Sequence, residues 1–194
     1  MQSANLFKLA IKIQPLVNRF YLAGGTAIML KHQHRQSIDL DFFAFQSFSF
    51  RHLSQKIRQH FDISEEREFI DNIDFFIKDI KVSFVYFPFT NILPLEKWRG
   101  VRMASDYDLF LNKIYACSRR IDSKDPKDIA FLFEKYQWNS KNFKKDYEKK
   151  FPQQSYEIAL GAVLNIDDYP DLDNKAKDQL KKLYIQQSHN MHYS

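Results

Sequence analysis

One cysteine in 194 residues, Cys117, allows no internal disulfide and no cysteine-based zinc site, which fits a reducing compartment. Long apolar runs are missing too. The N-terminal stretch NLFKLAIKIQPLV carries two lysines within its apolar pattern, so it does not read as a signal peptide, and no run approaches the length that spans a bilayer. A cytoplasmic protein with no membrane partner is expected. Glycines number four and prolines six, and there is neither a low-complexity linker nor an internal repeat. No Ser-His-Asp or Cys-His arrangement is legible. His32 and His34 lie close together with no third ligand beside them, a pattern more common on surfaces than in metal sites.

What is present is apolar material for a core, including 19 phenylalanines, enough for one domain or a compact domain with a smaller appended one. Charge is unevenly spread. Between Leu111 and Lys150 there are eleven Lys or Arg against six Asp or Glu, a surplus of five that equals the +5 of the whole chain. A basic region in an otherwise balanced protein suits a polyanionic partner such as a triphosphate, RNA or DNA; a solvated lysine-rich helix face gives the same letters.

Apolar spacing predicts a first helix over Asn5 to Val17, ending around Pro15. Phe20 to Ala23 reads as a short buried strand, Thr26 to His32 as one or two helical turns with Thr26 as cap, and Ser37 to Phe43 as a second strand. A helix over Phe50 to His60 precedes three alternating runs, Glu66 to Ile70, Asp74 to Lys78 and Lys81 to Phe87, the last two joined by a hairpin at Lys78 and Asp79. Asn91 to Met103 reads as a connector. From Ser105 onward the pattern is helical, with Asp125 before Pro126 placed to cap one helix. The tail QQSHNMHYS reads as polar and frayed.

The chemistry concentrates in YLAGGTAIMLKHQHRQSIDLDFF, from Tyr21 to Phe43. Gly24 and Gly25 lack side chains, so a phosphate can approach their backbone N–H groups, and the following helix N-terminus adds a favourable dipole. Asp39 and Asp41, two apart on a strand, face the same side and offer the hard oxygen ligands that Mg²⁺ prefers. Two such ions can clamp both attacking and leaving oxygens in phosphoryl-group transfer. Each half alone has a plain alternative: a glycine pair is often a tight turn, and DLD is often a surface strand. Here Ile38 and a run of phenylalanines flank the acids, where like charges side by side are destabilising without a cation.

The segment resembles the first motif of the DNA polymerase beta-type nucleotidyltransferase superfamily, a glycine pair followed after a spacer by Asp-x-Asp. Within it, GGTAI followed by SIDLDFF resembles the AbiEii/AbiGii toxin family, related to the MenT toxins. Downstream, DLFLNKIYACSRRIDSKDPKDIAFLF is similar to that family's later motif, a lysine-bearing helix followed by arginine and a Lys-Asp-x-x-Asp segment. The resemblance implies a mixed α/β (α+β) fold: a polymerase beta-type mixed sheet flanked by helices over residues 1–103, then a C-terminal helical bundle over 104–194 completing the active-site cleft. It implies that Lys113 contacts nucleotide phosphates, that Lys124, Asp125 and Asp128 line the site as a second charged motif, and that Thr26, Ser37 and Arg120 join the nucleotide site. Asp125 is also counted among the catalytic residues with Asp39, Asp41 and Lys113. Many superfamily members carry a third carboxylate on a later strand, where IKVSFVYF places Ser83, a poor Mg²⁺ ligand.

The expected activity is Mg²⁺-dependent transfer of a nucleoside monophosphate from a nucleoside triphosphate to an acceptor hydroxyl on tRNA or protein. Toxin-family similarity implies growth inhibition and a cognate antitoxin partner. The alternative is a catalytically weakened relative that binds nucleic acid or a partner through its basic helices.

Overall fold

The apolar positions Leu6, Leu9, Ala10 and Ile13 are all buried along one helix, α1 (Gln2–Ile13), which gives way at Pro15 to a single 3-10 turn. Proline lacks the N–H that a continuing helix needs. The structure, a computed structural model, describes residues 2–191 and divides into two units, one up to Ser105 and one from Asp106 onward. Seven strands and eight α-helices occur among the described residues, a mixed α/β chain. No helix among them is long and apolar enough to cross a membrane.

In the first unit the chain runs from α1 through β1 (Tyr21–Ala23), α2 (Gly24–His32), β2 (Leu40–Ala44), α3 (Phe50–Arg58), β3 (Glu65–Glu68), β4 (Asn72–Ile77), β5 (Ile80–Tyr86), β6 (Glu96–Trp98) and β7 (Val101–Met103). These strands form one sheet in the order β3-β4-β5-β2-β1-β7-β6, parallel at β2/β5 and β1/β7 and antiparallel elsewhere. Alternation divides its faces. Leu40, Phe42 and Ala44 of β2 are buried on one face, where Phe84 stacks on Phe42 at 5.4 Å and meets Phe75 and Phe20 edge-on. Asp41 and Phe43 lie on the other face.

The hairpin expected at Lys78 and Asp79 forms, both residues taking positive φ (49° and 65°) as a tight primed turn requires. The segment read as a connector is in part a second hairpin, β6 and β7, turning on Arg99 and Gly100 at φ 46° and 94°. Strands of three residues are too short to display alternation, so only the Arg-Gly pair signals them. Thr26 is not a cap: α2 begins two residues earlier, at Gly24, with Ala23 at the N-cap. The aspartate strand is also shorter than the pattern suggests, since Asp39 lies just ahead of β2.

The second unit holds α4 (Asp106–Cys117), α5 (Lys124–Tyr136), α6 (Phe143–Lys150), α7 (Tyr156–Leu164) and α8 (Asn174–Met191). Tyr107, Phe110, Trp138 and Phe143 pack as one aromatic cluster, and Ser155 Oγ caps α7 by accepting from the Ile158 N–H. Asp108 and Lys150 form an ion pair at 2.5 Å with both side chains fully buried. Burial pushes the Lys150 ammonium down to about 8, against the pull of Asp108. Asp125 does not cap α5; it is the second residue of that helix and its side chain turns inward. The tail is helical as far as Met191, and buried Gln187 donates to the Ser140 carbonyl at 3.0 Å; residues 192–194 lie outside the described residues.

Candidate active site

Gly24 joins β1 to α2 at φ +66°, a conformation that L side chains rarely adopt. A Cβ there would collide with Oδ2 of Asp41, so the carboxylate occupies the space that the missing side chain leaves. The register explains the meeting: Ala23, the residue before the glycine, pairs directly with Asp41. Gly25 follows in the first turn of α2, whose free N–H groups and dipole favour an anion. Glycine turn, helix N-terminus and carboxylate therefore meet at one point. Gly24→Ala is expected to cost more than about 1 kcal/mol, because alanine fits positive φ poorly, and to push the Asp41 carboxylate aside. Denaturant unfolding together with transfer activity measures both effects; a variant with unchanged stability and activity would refute the close approach.

Thr26 and Ser37 act on the neighbouring acid. Thr26 is 1% exposed, its hydroxyl donates to the Asp39 carbonyl, and its Oγ1 lies 2.6 Å from Ser37 Oγ. They tie the strand entry, and with it Asp39, to α2. The Asp39 side chain is 36% exposed, with the Lys81 ammonium 3.9 Å away. Lys81 sits one residue before Val82, the partner of Leu40, so Asp39 and Asp41 share a side of the sheet.

Ser83 pairs with Asp41 across the parallel β2/β5 ladder, so a hydroxyl stands beside the carboxylate on that face. The same Ser83 pairs with Asp74 of β4, and Asp74 with Arg67 of β3. Asp41, Ser83, Asp74 and Arg67 thus form one row across four strands. Asp74 was not singled out from the sequence, although the alternation of β4 and the turn at Lys78 and Asp79 together place it there. Among the described residues no three His, Cys, Asp or Glu side chains gather as a metal-binding group. Asp39 and Asp41 do suit a cation that takes one or two protein carboxylates and fills its shell with water and substrate phosphate, which is the habit of Mg²⁺.

The later motif lies within the helical unit. Lys113 of α4 contacts two carboxylates of α5, Asp125 at 2.6 Å and Asp128 at 2.8 Å, both 0% exposed. Burial lowers the affinity of Lys113 for its proton, but the two carboxylates outweigh it and the net shift is upward. Arg120 Nε donates to the second Asp125 oxygen at 2.9 Å from a side chain that is 60% exposed. The Lys124 side chain is exposed. Cys117 is buried nearby; burial first, and the Asp125 charge second, push its thiol up to about 12, which leaves it inert.

The chain is similar in fold to a protein from H. pylori described as a nucleotidyltransferase (TM-score 0.60, 19% identity, covering 100% of this chain and 98% of that one). It is also similar to JHP933 from Helicobacter pylori (TM-score 0.54, 20% identity, covering 100% and 97%). An uncharacterized protein of Aquifex aeolicus is 32% identical over 158 residues, 79% of this chain and 76% of that protein. Residues 8–189 match the family described as nucleotidyl transferase AbiEii toxin, type IV TA system. With that match over nearly its whole length, the chain belongs to the AbiEii family of nucleotidyltransferase toxins.

Proposed function

We propose that this nucleotidyltransferase moves a nucleoside monophosphate from a nucleoside triphosphate to an acceptor hydroxyl, using the β1–α2 turn and the paired aspartates as its reaction centre. The observation that carries this reading is the seating of Asp41 against Gly24, which joins a phosphate-binding helix N-terminus to a carboxylate. The backbone N–H groups at Gly24 and Gly25 would hold triphosphate oxygens. Asp39 and Asp41 would hold Mg²⁺, which when bound neutralises phosphate charge and polarises the phosphorus centre. The acceptor oxygen forms a bond to the α-phosphorus, the bond to the bridging oxygen breaks, pyrophosphate leaves, and the hydroxyl proton passes to solvent. Positioning and charge neutralisation supply most of the rate.

In the helical unit, Arg120 and Lys124 are among the exposed cations that a polyanion could meet, while Lys113, Asp125 and Asp128 hold α4 to α5. Membership of a toxin family makes a cognate antitoxin an expected partner, and tRNA or protein the expected acceptor. The test uses triphosphates labelled at the α- or the γ-phosphate, with Mg²⁺ and total RNA or protein. Label should enter the acceptor from the α-position and never from the γ-position. Ser83 beside Asp41 favours a second reading, a weakened enzyme that binds nucleic acid. No transfer to any acceptor, with RNA binding that falls steeply with salt, would establish that reading instead.

A further inference from the structure

The sheet face that bears Asp41 extends three strands beyond β2, and the residues on the outer two resemble neither a core nor an ordinary solvated surface. Asn72, Asp74 and Phe76 alternate onto this face from β4, and Glu65 and Arg67 from β3. Phe76 is only partly covered by protein, and the Arg67 guanidinium lies over its ring at 5.1 Å from the centroid. Glu65 holds that guanidinium in place, accepting from Nε at 2.5 Å, yet the Arg67 side chain remains 54% exposed. Beside the stack, Asp74 is 8% exposed, with one oxygen fixed by Asn72 Nδ2 at 2.9 Å. A planar cation backed by an aromatic ring, next to an oriented acceptor group, matches what single-stranded bases bind: a flat surface for stacking and an edge for hydrogen bonding.

Position supports the same reading. From β2 through β5 to β4 is two strand spacings, on the order of 10 Å, about the span from the reacting end of a nucleotide to its base. The row Asp41, Ser83, Asp74, Arg67 is continuous across the ladder, so a nucleotide with its reacting atoms at Asp41 can extend its base along it. Lys81, opposite Phe76 in the ladder and 3.9 Å from Asp39, sits between the two ends where backbone phosphate would pass.

We propose that the β3–β4 hairpin forms a nucleobase subsite, in which a base stacks on the Arg67–Phe76 pair and presents a donor edge to Asp74. The subsite takes a planar base with a hydrogen-bond donor edge, either from the 3′ end of an acceptor strand or from the incoming triphosphate. It rests on the carboxylate pair being the reaction centre.

The test uses 2-aminopurine, whose fluorescence is quenched when it stacks, in two arms: a short RNA ending in 2-aminopurine riboside, and 2-aminopurine riboside triphosphate with Mg²⁺. The full chain should quench one of the two probes, and that arm identifies the source of the base. Arg67→Ala, on an exposed side chain, and Phe76→Leu should each weaken binding of that probe by about tenfold and relieve the quench. Asp74→Asn should weaken binding while leaving the quench of the bound probe intact. Quenching that is equal in the wild type, Arg67→Ala and Phe76→Leu, or absent with both probes, would overturn the subsite. Label transfer measured in parallel keeps the two readings apart: quenching without transfer supports the subsite and sinks the proposed reaction, whereas transfer with variant-independent quenching does the reverse.

Discussion

Asp41→Asn should reduce nucleotide transfer by about a thousandfold or more, the scale expected when a preorganised charge-stabilising group is lost. Asparagine keeps the size of the side chain and can lie in the space left open at Gly24, so the fold should survive. What it removes is the negative charge. Two like charges on one side of the sheet disfavour each other, and Mg²⁺ held by them as proposed would ease that and bind the native state alone. Mg²⁺ should therefore raise the melting temperature of the wild type and not that of the Asp39→Ala, Asp41→Ala double variant. Without Mg²⁺, the variants should be as stable as the wild type or slightly more so. Transfer by Asp41→Asn within tenfold of wild type, or equal Mg²⁺ shifts in both proteins, would remove Asp41 from the reaction centre.

The part of this site legible in the sequence was the part coded by local spacing. Two adjacent glycines ahead of a helical run, and two aspartates two positions apart, need no partner to be recognised. Their meeting was not legible, because it depends on Ala23 pairing with Asp41 across an antiparallel ladder between segments joined through a helix. Thr26 departs from its expected capping role for a related reason. Threonine before a helical run is a good cap, but here the chain enters α2 directly from β1 at Gly24, so the hydroxyl is left to bond the Asp39 carbonyl and Ser37. Asp125 before Pro126 likewise has the letters of a cap. Its carboxylate instead finds Lys113 and Arg120, stronger partners than backbone N–H groups. β6 and β7 carry no legible pattern because three residues cannot establish a period of two; β7 is fixed in the sheet by its pairing with β1, information held far from it in the sequence.

The row running from Asp41 to Arg67 shows how far correct local reading can be carried. The turn at Lys78 and Asp79 sets the register of β4 against β5, and that register alone places Asp74 opposite Ser83. The second step, β5 against β2, is parallel and crosses more than thirty residues, so no turn chemistry announces it. Ser83 sits where the superfamily pattern led one to look for an acid. An acid does lie on the same face, one strand further out, held by Asn72 and facing Arg67.

Lys113→Met should destabilise the protein by about 3–5 kcal/mol, the usual cost of removing one partner from a buried charge cluster. The melting temperature should fall on the order of 10 °C in a chain of this size. Asp125 and Asp128 are wholly buried, so without the ammonium their charges face the helical core; Asp125 would keep Arg120, which places the cost toward the lower end of that range. Replacing Asp128 by asparagine in the Lys113→Met background should restore part of the loss, because the uncompensated charge causes it. The pH dependence has a definite sign. The native Lys113 binds its proton more tightly than the unfolded lysine does, so its contribution is complete below the unfolded value and fades only as pH rises through the higher native one. The stability gap between wild type and variant should accordingly stay constant from about pH 6 to 9, where a lysine of ordinary or raised pKa remains charged. A Lys113 that served only to contact phosphate would leave the melting temperature unchanged and raise the KM for the triphosphate. Loss of stability with partial rescue by Asp128→Asn would instead assign Lys113 to holding α4 against α5, leaving Arg119, Arg120 and Lys124 as exposed cations of that motif.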